Sequence, residues 1–233
     1  MSDRTLVVTG ASSGVGLEVA RRFVQKGFRV VGIARAADKL AAIATELGED
    51  RFDGVALDVR DASAVTAAFA RIGERYGHID VLVNNAARFK TAPLEGFSLQ
   101  EIADILDTNL KGTIYCTHQA LPLLKGGSRV VNIASVSATH GIEGQAVYCA
   151  SKYGMDGFAE ALGQELLKRG IHVTTLCPGG IATPLWNDRN PYNGDIERLL
   201  TPSDIAELVE HVVELPERVV FKKAVLFPSN EWH

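Results

Sequence analysis

Cysteine is scarce in this chain of 233 residues, and the three present, Cys116, Cys149 and Cys177, are widely spaced and form no CxxC pattern. A disulfide framework and a thiolate metal site both need paired or clustered ligands, so neither is expected. Reduced thiols in a cytoplasmic compartment fit better. Basic runs are also missing. Lys and Arg form only short pairs such as Arg21–Arg22 and Lys222–Lys223, and the net charge is −4. Without a basic stripe, a nucleic-acid partner is not expected. No apolar stretch approaches a membrane span, and the opening "MSDRTLVVTG" enters a strand pattern at once. Neither a membrane partner nor a targeting segment is therefore expected. Linkers, internal repeats and low-complexity runs are absent too. Residues 1–233 are read as one domain, long enough to bury a sizeable core.

What is present alternates. The Val/Ile-rich runs "TLVVTG", "RVVGIA", "GVALDV", "IDVLVNN", "RVVNIAS", "HVTTLCP" and "AVLFPS" have the continuous apolar character of strands covered on both faces. Between them lie amphipathic segments, such as Leu40, Ile43, Ala44 and Leu47, or Val65, Ala68, Phe69 and Ile72. Ser98 with Glu101 predicts a capping box, and Thr201-Pro202 an N-cap followed by proline in the first turn. Repeated strand–helix units predict an α/β fold, a doubly wound parallel sheet with helices on both faces. Ligands of such sheets bind at the carboxyl ends of the strands, near the switch in strand order.

The first strand runs into "TGASSGVG", where Gly10, Gly14 and Gly16 open a helix predicted over 17–26. Glycines let backbone approach a pyrophosphate, and the helix N-terminus offers free N–H groups and partial positive charge. The spacing is GxxxGxG, and it resembles the fingerprint TGxxxGxG of the short-chain dehydrogenase/reductase family. Roughly twenty residues on, an NAD site would carry a carboxylate for the ribose hydroxyls. Here "VVGIARAADKL" has Ala34 at that place and Arg35 after it. No carboxylate repels a 2′-phosphate and a guanidinium can meet one, so NADP(H) is expected in preference to NAD(H). Ser12 and Ser13 lack the second basic residue that some NADP-dependent relatives carry in the turn.

"YCASK" puts Tyr148 and Lys152 four apart, on one face of a helix. Free tyrosine titrates near pH 10, so a tyrosine useful near neutrality needs a cation to favour its phenolate. The family resemblance extends over the whole chain, as TGxxxGxG, "NNAA" (84–87), Asn109, Ser135, YxxxK and "PGGIAT" (178–183) follow in family order. It implies a Rossmann-type fold and a catalytic set of Ser135, Tyr148, Lys152 and Asn109. Ser135 stands thirteen residues before Tyr148, with Ser137 a nearby competitor. Resemblance also assigns Asp58 and Val59 in "LDV" to adenine, Asn85 and Ala86 to the cofactor cleft, and Pro178, Gly179, Ile181 and Thr183 to the nicotinamide end. Val15 joins the glycine turn, while Tyr148 and Lys152 touch the cofactor as well.

The implied activity is reduction of a small-molecule ketone or aldehyde, or the reverse. Arg88, Phe89, His140, Ile142, Glu143 and the aromatic stretch 183–200 are candidate substrate contacts, the last as a short lid. The helix around Tyr148 is apolar on most sides, which with the resemblance predicts a homodimer or homotetramer. Three alternatives stay open: a 3-oxoacyl thioester reductase, an epimerase or dehydratase of the extended family, for which there is no second domain, and a non-catalytic NADP sensor.

Overall fold

Seven apolar runs become seven parallel strands. The computed structural model describes residues 4–188 and 190–230. In chain order the elements are β1 (Thr5–Thr9), α1 (Gly14–Gln25), β2 (Arg29–Ala34), α2 (Ala37–Leu47), β3 (Phe52–Ala56), α3 (Ala62–Tyr76) and β4 (Ile79–Asn84). There follow α4 (Leu99–Leu106), α5 (Gly112–Ala120), β5 (Leu124–Ile133), α6 (Ala146–Leu167), β6 (His172–Pro178), α7 (Pro202–Glu214) and β7 (Lys223–Leu226). The strand order is β3-β2-β1-β4-β5-β6-β7, every pair parallel. The order reverses between β1 and β4, which opens a crevice at their carboxyl ends.

Alternation along each strand sorts the core into two layers. Leu6 and Val8 of β1 face α1 and α7, packing with Val19, Phe23, Val209 and Val212. Val7 faces the other way, with Val65, Phe69, Cys116 and Leu162 of α3, α5 and α6. The Ser98 capping box forms at α4, and Thr201 makes one with Asp204 at α7, where Pro202 occupies the first turn.

Three boundaries depart from the sequence reading. Helix α1 starts at Gly14, three residues earlier than predicted, because Gly14 and Gly16 lie inside its first turn. Strand β3 stops at Ala56, so Asp58 and Val59 belong to the loop beyond it. Between α4 and α5, residues Asp107–Lys111 form a single π turn. Such a turn carries one extra residue per hydrogen-bonded loop and swings the side chains it contains.

Candidate active site

The nucleotide end of the crevice is shaped by backbone. Gly10 and Gly14 adopt φ of 71° and 54°, a region side chains disfavour. A Cβ at Gly16 would stand 2.4 Å from the Gly10 carbonyl oxygen, and one at Gly10 would stand 2.7 Å from Asn85 Nδ2. The turn thus admits only glycine at its tightest points. Thr9 Oγ1 accepts hydrogen bonds from the backbone N–H of Asn85 and Ala86, each at 3.0 Å, and Asn85 Nδ2 donates to the Thr9 carbonyl at 2.9 Å. These bonds stitch the ends of β1 and β4 together. Ser13 precedes α1 without capping it by its side chain, leaving first-turn N–H groups directed at the cleft. The buried Thr108 hydroxyl in the cleft wall likewise has no protein partner among the described residues. The whole cleft, substrate half included, encloses about 520 Å³, and the cradle supplies donors suited to the phosphates of a dinucleotide.

At the far end, the exposed Arg35 and Asp58 border the cleft. Both Asp58 oxygens accept from Arg60, with Oδ2 2.7 Å from Nη2, and Arg60 also bridges to Asp104 at 2.5 Å. That guanidinium holds the Asp58 carboxyl below the usual carboxylate range. Asp104 in turn pairs with Arg88 at 3.0 Å. This chain of charges is invisible in sequence, because its members lie on two separate loops and a helix.

Strand β5 delivers Ser135 two residues past its end, and α6 presents Tyr148 and Lys152 one turn apart. Ser135 Oγ accepts from the Ser137 N–H at 3.1 Å and donates weakly to Ser137 Oγ at 3.3 Å. Ser137 Oγ donates to Gln145 Oε1 at 2.8 Å. Lys152 is buried, donates to the Ile133 carbonyl at 2.8 Å, and has Nζ 5.6 Å from the centre of the Tyr148 ring. Burial pushes Lys152 down to about 8, with the nearby Cys177 opposing. Burial also drives the Tyr148 phenol well above its ordinary value, only partly offset by the Ser135 hydroxyl beside it. Burial thus opposes the depression expected from a neighbouring cation and favours the protonated phenol.

Asn109 sits on the π turn and is fully buried. Its Oδ1 accepts from the Arg88 N–H at 2.7 Å, and its Nδ2 donates to the Arg88 carbonyl at 2.9 Å and to Ser151 Oγ at 3.0 Å. Of the residues expected in the site, all those named singly border one cleft except Gly16, Asn109 and Glu143, and the 183–200 stretch borders it through Thr183 to Trp186 and Tyr192.

A file of rings leaves Tyr148 on the other side. Phe89 meets it edge-on at 4.8 Å, Trp186 meets Phe89 at 5.3 Å, and Tyr192 meets Trp186 at 5.1 Å. The segment 183–200 is pinned at its base, with the Ala182 N–H donating to the Leu200 carbonyl at 2.8 Å. Asn190 fastens it to the loop after β4, its Oδ1 accepting from the Thr91 N–H and its Nδ2 donating to the Phe89 carbonyl, both at 3.2 Å. Phe227, just beyond β7, stacks at 6.4 Å on His140 and also borders the cleft. Sequence reading missed Gln145 and Phe227, and only the position of Gln145 three before Tyr148 offered any signal; Asn190 falls within the stretch expected as the lid.

A family model described as short chain dehydrogenase matches residues 4–194. The chain is 35% identical to a serine 3-dehydrogenase of Agrobacterium fabrum, over 97% of this chain and 94% of that one. It is 38% identical to a D-threitol dehydrogenase of Mycolicibacterium smegmatis, over 79% of this chain and 73% of the other. Among solved structures, a variant of actinorhodin polyketide ketoreductase with NADPH superposes at a TM-score of 0.86 with 34% identity, covering 97% and 96% of the two chains.

Proposed function

Because the chain belongs to the short-chain dehydrogenase/reductase family of oxidoreductases, we propose that it is an NADP(H)-dependent enzyme interconverting a small-molecule carbonyl compound and its alcohol. The observation that carries this reading is the convergence of Ser135, Tyr148 and Lys152 in one cleft with a glycine-lined dinucleotide cradle. Gly10, Ser12, Ser13, Gly14 and Val15 would hold the pyrophosphate, Asp58 and Val59 the adenine, and Pro178, Gly179, Ile181 and Thr183 the nicotinamide end. Asn85 and Ala86 floor the cleft between them. The absence of a carboxylate at Ala34 and the exposed guanidinium of Arg35 support NADP(H) over NAD(H).

NADPH, when bound, supplies the hydride. Tyr148, protonated in its buried setting, gives its hydroxyl proton to the carbonyl oxygen as negative charge develops there. Ser135 donates a hydrogen bond to the same oxygen, exchanging its weak 3.3 Å bond to Ser137 for a charge-assisted one. Lys152, cationic below about 8, stabilises the phenolate left behind, across a medium that screens it poorly. Asn109 acts as a positioning residue, tying the Arg88 backbone to Ser151 of α6. Oxidation of the alcohol uses the same groups in reverse. The 183–200 segment is the lid over the substrate. Buried, unpaired thiols at Cys116, Cys149 and Cys177 support a cytoplasmic location, and the outward side of α6 supports a homodimer or homotetramer.

The test is NADPH oxidation against ketones, aldehydes, diketones, quinones and 3-oxoacyl thioesters. Tyr148→Phe is expected to cut turnover by about 10²–10⁴-fold with a far smaller change in NADPH affinity. Unchanged turnover would remove Tyr148 from its role. Turnover confined to 3-oxoacyl thioesters would favour the thioester reductase, a reading the ketoreductase neighbour supports. NADPH binding with no turnover of any carbonyl would favour the sensor.

A further inference from the structure

Charge and shape divide the cleft into two unlike halves. Among the described residues, four charged side chains border it, Arg35, Asp58, Arg88 and Lys152. Arg35 and Asp58 lie at the adenosine end, and both Asp58 oxygens are already taken by Arg60. Lys152 lies beneath Tyr148, committed to the Ile133 carbonyl. Arg88 has its guanidinium paired with Asp104 at 3.0 Å, and Asp104 joins Arg60, the partner of Asp58. The half beyond Tyr148 has walls of Phe89, Trp186, Tyr192 and Phe227, with Ser137, His140 and Gln145 as the polar side chains beside them.

The walls are built in place. Phe89 is locked at its backbone by Asn190 and wedged between the rings of Tyr148 and Trp186, at interplanar angles of 80° and 75°. Trp186 is fixed at both ends, its indole N–H donating to the Ile181 carbonyl at 2.9 Å and its ring packed against Tyr192. Rings held this firmly present an apolar aromatic wall with little ordering left for a ligand to impose.

Resting on the reductase reading above, we infer that the substrate is a neutral ketone carrying a flat aromatic or alicyclic ring, and not a zwitterionic hydroxy acid or a polyol. An ammonium entering this half would meet no free carboxylate among the described residues. Desolvating it costs more than a ring face returns. A polyol would leave against ring carbons every hydroxyl that Ser137, His140 and Gln145 do not reach. A ring ketone meets neither penalty. Its carbonyl reaches Ser135 and Tyr148 while its body lies along Phe89 and Trp186.

The experiment uses the full chain with saturating NADP⁺ in a Trp232→Phe background, so that fluorescence reports Trp186 alone. The probes are 1-tetralone, 2-butanone, L-serine and D-threitol, and each carbonyl or alcohol is also tested for turnover. 1-Tetralone is expected to quench Trp186 and to bind at least about tenfold more tightly than the other three. Phe89→Ala is expected to weaken 1-tetralone binding by about tenfold more than it weakens 2-butanone binding. Tight 1-tetralone binding without turnover supports this pocket assignment while removing the reductase reading. L-Serine or D-threitol binding as tightly as 1-tetralone overturns the assignment, and so does an equal loss for both ketones in Phe89→Ala. Normal turnover of 2-butanone beside either result leaves the reductase reading intact.

Discussion

Two residues at the end of β2 set the cofactor expectation, and they can be reversed. Ala34→Asp with Arg35→Ala puts a carboxylate where a 2′-phosphate would sit and removes the guanidinium that meets it. The preference in kcat/KM for NADPH over NADH is expected to fall by about 10–100-fold, on the scale of one or two charge-assisted hydrogen bonds. An unchanged ratio would mean the phosphate is read elsewhere. Lys152 carries a pH signature. Burial lowers it to about 8 while the unfolded chain keeps it near the ordinary lysine value of about 10.4. Between those values the unfolded state binds more protons, so stability gains from this lysine as pH rises. Urea unfolding of wild type against Lys152→Met is expected to shift in favour of the wild type between pH 7 and about 9.5. A gap independent of pH would mean the ammonium is better solvated than its burial implies. At this scale the sequence was readable wherever a role goes with a residue type, as with Gly10 or Tyr148. It was silent on Arg60, because the sequence does not say which carboxylate an arginine will find.

Elements were legible in kind and less so at their ends. Apolar runs marked every strand, although the edge strands β3 and β7 are less covered than the five between them. The π turn at Asp107–Lys111 left no such trace. Its extra residue serves to bury Asn109, a demand set by Arg88 and Ser151 across the fold. Helix α7 shows another tertiary dependence, as it ends at Glu214 without a glycine cap. The buried Arg129 of β5 does that work, its Nη2 donating to the Leu215 carbonyl at 2.7 Å and its Nη1 to the Val219 carbonyl at 3.2 Å. His172 packs beside it at 2.5 Å, held below its ordinary value by burial and then by that guanidinium. Arg129→Met is expected to destabilise the protein by about 2–4 kcal/mol, read as a lower urea midpoint at unchanged slope. A loss below about 0.5 kcal/mol would show that the helix end finds other partners.

Over the whole molecule, a doubly wound parallel sheet could be anticipated from strand–helix alternation, but the closure of the substrate half could not. That half joins the loop after β4, the segment before α7 and the residue after β7, which only the finished topology brings together. Assembly also belongs to this scale. Helix α6 buries Tyr148, Lys152 and Met155, yet leaves Ala150, Tyr153, Gly157 and Ala161 exposed along one side. A Cβ at Gly157 would meet nothing within 4 Å. Sedimentation velocity is expected to give a dimer or tetramer for the wild type and a smaller species for Gly157→Arg. A monomeric wild type would reject the oligomer. The base of the 183–200 segment carries a consequence of a different kind. Its two ends are hydrogen-bonded to each other, Ala182 to Leu200 and Leu200 back to Gly180 at 3.1 Å. The chain enters and leaves the segment at one point, so its length and composition can change at small entropic cost to the rest. The protein thus carries an exchangeable cassette: grafting another sequence between those bonds should change which ketone is accepted while the proton-transfer machinery stays as it is.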